Sequence, residues 1–374
     1  MRASLRTAAC ILAASATGCS VPDRTLQPRR TPPMRSQPAA PEAERAPAPV
    51  DAAARDAIVI CGRRIPIGAP VVLWTEPPFY DATSTEPRFR DAGDVPAGKR
   101  GLRYRPGRAR TLPAAGPSTG AEGEAGERRE LGTEPAATET NVPPGSRDPA
   151  ALAAAVDQFV LHYDACGLSR TCFRVLQDVR GLSVHFLLDL DGTIYQTMDV
   201  RDTAWHATKS NARSVGVEIA NLGAYPPESS SLLDEWYRQD ALGTRVVVPE
   251  RITETGIRTP GFVARPARAA RVAGVVQGER LEQHDFTPEQ YESLVELAAV
   301  LCRELPLIAP DAPRDEHGVV IDRVLDDDAW SRFQGILGHH HVQANKTDPG
   351  PAFDWDGFLP RVRSRLDEIR PSGN

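Results

Sequence analysis

The chain has 374 residues, a formal net charge of −6 and 41% hydrophobic residues. That length bounds one large or two modest domains, and the acidic balance excludes the basic footprint of a nucleic-acid binder. The 34 prolines are unevenly placed, and where they cluster with Ala, Gly and charged residues no buried core is expected.

Arg2 and Arg6 open the chain, and a short apolar run from Ala8 to Ala16 follows. This is the pattern of a secretory signal, too short to span a bilayer. "SATGC" resembles a bacterial lipoprotein cleavage site, departing from it at Ala16, where such sites usually carry Leu. The resemblance implies a signal peptide over 1–19 and a lipid on Cys19, which would tether the protein to a membrane surface without crossing it. Plain secretion and an Ala-rich cytoplasmic start are the alternatives. Residues 20–55, rich in Pro, Ala and Arg, read as a disordered tether.

Residues 56–90 differ. "AIVIC" and "PVVLW" are β-branched runs separated by Gly62, Pro66, Gly68 and Pro70, which predicts two strands. Two strands alone are marginal, so they are expected to pack on the main domain. Residues 91–147 return to Gly, Pro, Glu and Arg and read as a linker or long loop.

The main domain is expected over 148–372. Asp148 caps a helix that Pro149 opens. "FVLH" is a buried strand ending in His162, and "CFRVLQDVRG" a short helix stopped by Gly181. "SVHFLLDLDGTIYQ" predicts a hairpin with a type I′ turn at Asp191-Gly192. In "SVGVEIAN", Val215, Val217 and Ile219 face one way; Gly216, Glu218 and Ala220 face the other. Residues 223–283, rich in Pro, Gly and Arg, read as an insertion over one face. Thr287, Pro288 and Gln290 then spell a capping box, with Phe286 and Tyr291 as its hydrophobic staple. Tyr291, Leu294, Val295, Ala298, Leu301, Cys302 and Leu305 make one apolar stripe. A last helix is predicted from about Trp355 to Ile369. Strands and helices mix without strict βαβ order, so the fold class is α/β (α+β): a mixed central sheet flanked by helices.

Chemistry concentrates in "GHHHVQANKTDPGPAFDW", residues 338–355. Alone, a His-rich stretch is a polar loop. Together with His162 at a strand end and Glu218 on the non-core side of another strand, it holds what a catalytic zinc site needs: three protein ligands and an open position.

"FVLHYDACG", "GLSVHFLLDLDGTIYQ", "DTAWHAT", "SVGVEIAN" and "GHHHVQANKTDPGPAFDW" follow one another in the order of a known family. Together they resemble the zinc-dependent N-acetylmuramoyl-L-alanine amidases, relatives of the peptidoglycan-recognition proteins and phage lysozyme-type amidases. The resemblance covers roughly residues 150–370. It implies an amidase/recognition-protein-like fold and Zn²⁺ held by His162, His339 and Asp348. It implies Glu218 and Lys346 as the catalytic pair, and Trp205 and His206 in the substrate cleft. His185 could line that cleft or be a satisfied buried residue. The zinc would polarise the amide carbonyl and lower the pKa of its water toward ~7. Glu218 would be the general base and Lys346 would stabilise the oxyanion.

The implied partner is peptidoglycan or a muropeptide, with a membrane contact through lipid on Cys19, no nucleic acid, and a monomeric state. The implied place is the cell envelope, as an outer-membrane lipoprotein facing the periplasm. A non-catalytic peptidoglycan-binding lipoprotein is the alternative.

Two departures bear on the site. The loop between His339 and Lys346 is one residue shorter than in some relatives. In an extended stretch His339 and His341 would point the same way, making His341 a rival ligand. Val184 stands where the recognition-protein and phage branch often has a tyrosine.

Outside Cys10 and Cys19, four cysteines remain: Cys61, Cys166, Cys172 and Cys302. An even count in an exported protein suggests one or two disulfides. The resemblance implies a Cys166–Cys172 bridge. Cys302, on an apolar stripe, reads as a buried thiol, with a Cys61–Cys302 bridge as the alternative.

Overall fold

The alternation read from the sequence builds a sheet with two unlike faces. The computed structural model describes residues 56–90, 93, 103–106 and 148–370. The signal peptide, Cys19, the 20–55 tether and most of the 91–147 linker lie outside the described residues.

Six strands form the main sheet: β1 (Val71–Leu73), β2 (Gln158–Tyr163), β3 (Phe186–Leu188), β4 (Ile194–Gln196), β5 (Ser214–Ile219) and β6 (Gly335–Gly338). Their order is β6-β2-β5-β3-β4-β1. β3 and β4 are antiparallel and every other neighbouring pair is parallel, so the sheet is mixed. In this register His162 stands beside Glu218, and Glu218 beside Leu187.

One face carries Phe159, Leu161, Val215, Val217, Phe186 and Leu188, all fully buried. It packs against two long helices, Pro288–Glu304 and Trp355–Ile369. The first begins as its sequence spells: Thr287 accepts from Gln290, the capping box closes, and Phe286 meets Tyr291 edge-on at 6.0 Å. A cap contributes about 1 kcal/mol. Each buried Leu or Phe of its stripe contributes roughly 1.5–3 kcal/mol, so packing on the sheet is what holds this helix.

The opposite face is apolar at its two sides. Val160 and Leu337 pack with Leu325 and Val342, while Val72, Leu187 and Tyr195 pack with Tyr80 and Phe173. Between these clusters, on central β2 and β5, the residues are His162, Gly216 and Glu218. A buried ion pair fixes these two strands at their starts. Asp157, fully buried, accepts from Arg213 Nε and Nη2 at 2.7 Å each.

Three local outcomes differ from the sequence expectation. "VVL" is the edge strand of the main sheet rather than half of a separate unit, while Ala57–Ile60 pairs with Arg63–Pro66 beside it. At the hairpin only Gly192 takes a positive φ (79°), and Asp189 closes on both Gly192 and Thr193. The loop is therefore a three-residue turn, not type I′, which needs positive φ at both central residues. The helix before Gly181 starts at Ser169 and widens to a π-helical turn over Val175–Arg180.

Residues 223–283 contain a short helix, Ser231–Trp236, and two ribbons, Tyr237–Asp240 with Gly243–Val246 and Val272–Val276 with Glu279–Gln283. Leu233, Trp236 and Tyr237 pack on Ala220 and Leu222, just beyond β5. Among the described residues no helix is long and apolar enough to cross a membrane.

Candidate metal centre

β2 delivers His162 and β6 delivers the histidine run. The chain leaves β6 at Gly338, where a Cβ would lie 2.6 Å from the His340 ring and 2.7 Å from Pro349. Only glycine fits so close an approach. His339–His341 then form a single 3₁₀ turn. His339 comes to 4.4 Å from His162, ring centroid to ring centroid. Asp348 returns to the same spot, its backbone carbonyl accepting from the His340 backbone N–H at 3.1 Å and lying 3.0 Å from His340 Nδ1. Next door, Tyr163 Oη meets Thr347 Oγ1 at 2.6 Å, which joins the two ligand-bearing segments a second time.

The result is a buried cluster in which His162, His339 and Asp348 each present a donor atom within 4.8 Å of the others. Asp348 Oδ2 lies 2.8 Å from His162 Nδ1 and 3.0 Å from His339 Nδ1.

The outer hydrogen bonds fix which nitrogen of each ring carries its proton. Ser214 Oγ gives its proton to the Ser210 carbonyl at 2.7 Å. It therefore accepts from His206 Nε2, 3.2 Å away. In a neutral ring that leaves His206 Nδ1 as an acceptor, so His162 Nε2 donates to it at 2.9 Å. His162 Nδ1 is then a bare lone pair facing Asp348. His339 follows the same logic, because its Nε2 donates to Gln343 Oε1 at 2.6 Å, leaving Nδ1 bare. Two imidazole lone pairs and a carboxylate oxygen converge on one point. That arrangement repels itself without a cation.

The electrostatics agree. Burial, then the neighbouring His339, pulls His162 down to about 4, so it is neutral near pH 7. Burial disfavours the Asp348 carboxylate, yet a proton on the facing imidazoles, His339 first, holds it well below the usual carboxylate range, and a bound cation would take that proton's place. Metal ligands must be deprotonated, which suits the lowered His162 and Asp348. Two imidazole nitrogens and one carboxylate oxygen, with outer hydrogen bonds on both histidines, fit Zn²⁺.

Beside this cluster, Glu218 is partly exposed. Burial first, then Asp348, raises its carboxyl well above the ordinary value. Lys346 is also partly exposed, two residues before Asp348, and its charge acts on His162.

The N-acetylmuramoyl-L-alanine amidase family matches residues 152–351, over half of the chain. The chain belongs to this family. No curated protein sequence matches it. Solved structures similar to it include the N-acetylmuramyl-L-alanine amidase AmiD from E. coli, in complex with the substrate anhydro-N-acetylmuramic acid-L-Ala-D-gamma-Glu-L-Lys. That match has 18% identity and a TM-score of 0.32, and covers 55% of this chain and 57% of AmiD. AmpD matches at 18% identity and TM-score 0.27, covering 57% of this chain and 85% of AmpD. Drosophila peptidoglycan recognition protein SD matches at 15% identity and TM-score 0.26, covering 53% of this chain and 76% of its own.

Within this amidase fold the remaining expected residues separate. His341 is fully buried but turned away from the cluster: its Nδ1 accepts from Gly338 N–H at 2.9 Å and its Nε2 meets the Ile321 carbonyl at 2.6 Å. The rivalry with His339 assumed an extended chain. The 3₁₀ turn removes that alternation. His185 is also fully buried, with Nε2 on the Asp202 carbonyl and Nδ1 accepting from Gly216 N–H. It is the satisfied buried residue rather than a cleft residue.

His206 lies behind His162, in hydrogen-bond contact with it, and is itself partly exposed. Gly216 makes room for it, since a Cβ there would sit 2.5 Å from its ring. Trp205 is partly exposed, its backbone tied to Ser183. The four described cysteines are free thiols, so neither the Cys166–Cys172 nor the Cys61–Cys302 bridge is formed.

Sequence reasoning missed Gln343, Ser214 and Tyr163. Gln343 could have been found, because it stands four residues after His339 in a turn-forming stretch. Ser214 could not: its role depends on the local fold around 206–214.

Proposed function

We propose that this amidase-family protein hydrolyses the amide bond between N-acetylmuramic acid and L-alanine in peptidoglycan or muropeptides, with Zn²⁺ held by His162, His339 and Asp348. The observation that carries the reading is the convergence of three bare donor atoms beside a carboxylate. A zinc ion there would act as a Lewis acid toward the scissile carbonyl and acidify the attacking water.

The chain's own residues do the rest. Glu218 takes a proton from the water as it adds to the carbonyl carbon, then returns it to the departing alanine nitrogen. The C–N bond breaks, leaving a muramic acid carboxylate and a free amine. Burial strengthens Glu218 as a base by disfavouring its charged form. Lys346 donates a hydrogen bond to the oxygen that becomes negative. His206 and Gln343 keep both imidazoles in the ligating tautomer. Trp205, partly exposed beside His206, would contact the muropeptide.

The same proposal places the protein at the cell envelope. A signal over 1–19 and lipid on Cys19 would anchor it, the 20–55 tether would extend it, and residues 148–372 with the 223–283 insertion would form the catalytic domain. A monomer suffices, because every proposed site residue comes from one chain.

Turnover of muropeptides by the purified chain tests the reading. New amino groups should appear, a zinc chelator should stop their appearance, and zinc should restore it. His339→Ala should be inactive and His341→Ala active. A zinc-loaded chain that binds muropeptides uncut would instead make this a binding member of the family.

A further inference from the structure

The insertion touches the metal-bearing loop at two glutamines. Its second ribbon turns through Gln277 and Gly278, both in the left-handed region, with φ of 56° and 76°. A two-residue turn of this type favours Asn-Gly or Asp-Gly, and glutamine is not a residue that enters this region readily. The side chain shows what its placement achieves. Gln277 Nε2 donates to the carbonyls of His340, Gln343 and Lys346 at 2.8, 3.1 and 3.2 Å. Its Oε1 accepts from Val324 N–H at 3.1 Å.

These carbonyls all belong to the segment between His339 and Asp348. A loop can aim three carbonyls at one point only if a donor sits there, because their dipoles otherwise repel. At the ribbon's other end, Gln283 donates to the Pro349 carbonyl and accepts from Ala352 N–H, both at 3.1 Å. Gly350 has no room for a Cβ against that amide.

We propose that the 272–283 ribbon is a brace for the metal-bearing loop, and that Gln277 is its positioning residue, setting the curl that brings His339, Lys346 and Asp348 to the centre. The proposal rests on the zinc reading for its consequence, but the brace itself is testable without metal. Gln277 touches neither ligand nor substrate; it acts through the loop.

The test uses the full chain and the variants Gln277→Asn and Gln277→Ala. Asparagine improves the turn but is one methylene too short to reach the carbonyls. Hydrogen exchange on the metal-free proteins should show faster exchange confined to residues 339–348 and the Val324 amide in both variants. The thermal midpoint of Gln277→Asn should stay above that of Gln277→Ala, because asparagine suits the turn that both variants keep. Zinc affinity, read by competition with a chromophoric chelator, should fall about tenfold or more. Unchanged exchange over 339–348 in both variants overturns the brace, as does faster exchange spread evenly over the domain. A parent chain that binds no zinc overturns the metal reading instead, and the exchange comparison still judges the brace.

Discussion

His206 offers the sharpest test of the lone-pair geometry. Its Nδ1 is the acceptor that keeps the proton on His162 Nε2. In His206→Leu the ring space is filled but the acceptor is gone. A buried donor left unsatisfied costs about 1–3 kcal/mol. His162 can avoid that cost by moving its proton to Nδ1, where it would face Asp348 Oδ2 at 2.8 Å. A metal must then displace that proton. Either way the penalty falls on metal binding, at roughly 1.4–2.8 kcal/mol, or 10–100-fold in affinity. His206→Asn restores an acceptor near the Nδ1 position and should recover most of the loss. The assay is zinc competition at pH 7.5, with circular dichroism to confirm folding. A folded His206→Leu that binds zinc as tightly as the parent would refute the tautomer argument.

Three further outcomes follow from the same structure. Glu218→Gln should keep its zinc and lose roughly 10²–10⁴-fold in kcat; an unchanged kcat removes Glu218 as the base. Arg213→Ala strips the bidentate guanidinium from fully buried Asp157. That should cost ~3–5 kcal/mol and lower the thermal midpoint by roughly 6–20 °C, at ~2–4 °C per kcal/mol for a domain of this size; an unchanged midpoint contradicts the ion-pair account. Asp189 is fully buried, and burial raises it to about 7 despite a hydrogen bond from Leu190 N–H. The folded state holds this proton more tightly than the unfolded chain, so the carboxyl weakens the fold as pH rises from about 4 to 7 and the penalty is complete above that. Asp189→Asn should therefore gain on the parent by ~4 kcal/mol between pH 4 and 8 in denaturant unfolding. A parallel pH dependence in both proteins would show that Asp189 ionises freely.

Where the sequence was legible, the signal was local or periodic. Thr287 to Gln290 spells its own cap, and the alternation around Glu218 identifies the side of β5 that leaves the core. His162, His339 and Asp348 were legible through the ordered motifs. Misreadings arose where a local pattern has more than one backbone solution. Asp191-Gly192 announces a turn but not which residue takes positive φ. The histidine run gives opposite answers in a strand and in a 3₁₀ turn, and Gly338 against Pro349 selects the turn. Roles that depend on tertiary geometry were invisible. Nothing within "AWHAT" says that His206 will lie behind His162, nor within "VVQGER" that Gln277 will reach three carbonyls of a distant loop.

The central claim is that this centre cuts one particular amide. The measurement that tests it most directly is mass spectrometry of the products formed from a muropeptide in ¹⁸O-labelled water, with and without chelator. The account predicts free peptides beginning at L-alanine and one ¹⁸O in the muramic acid carboxylate, both lost on chelation. Intact muropeptide from the zinc-loaded chain, or cleavage at any other bond, would contradict it.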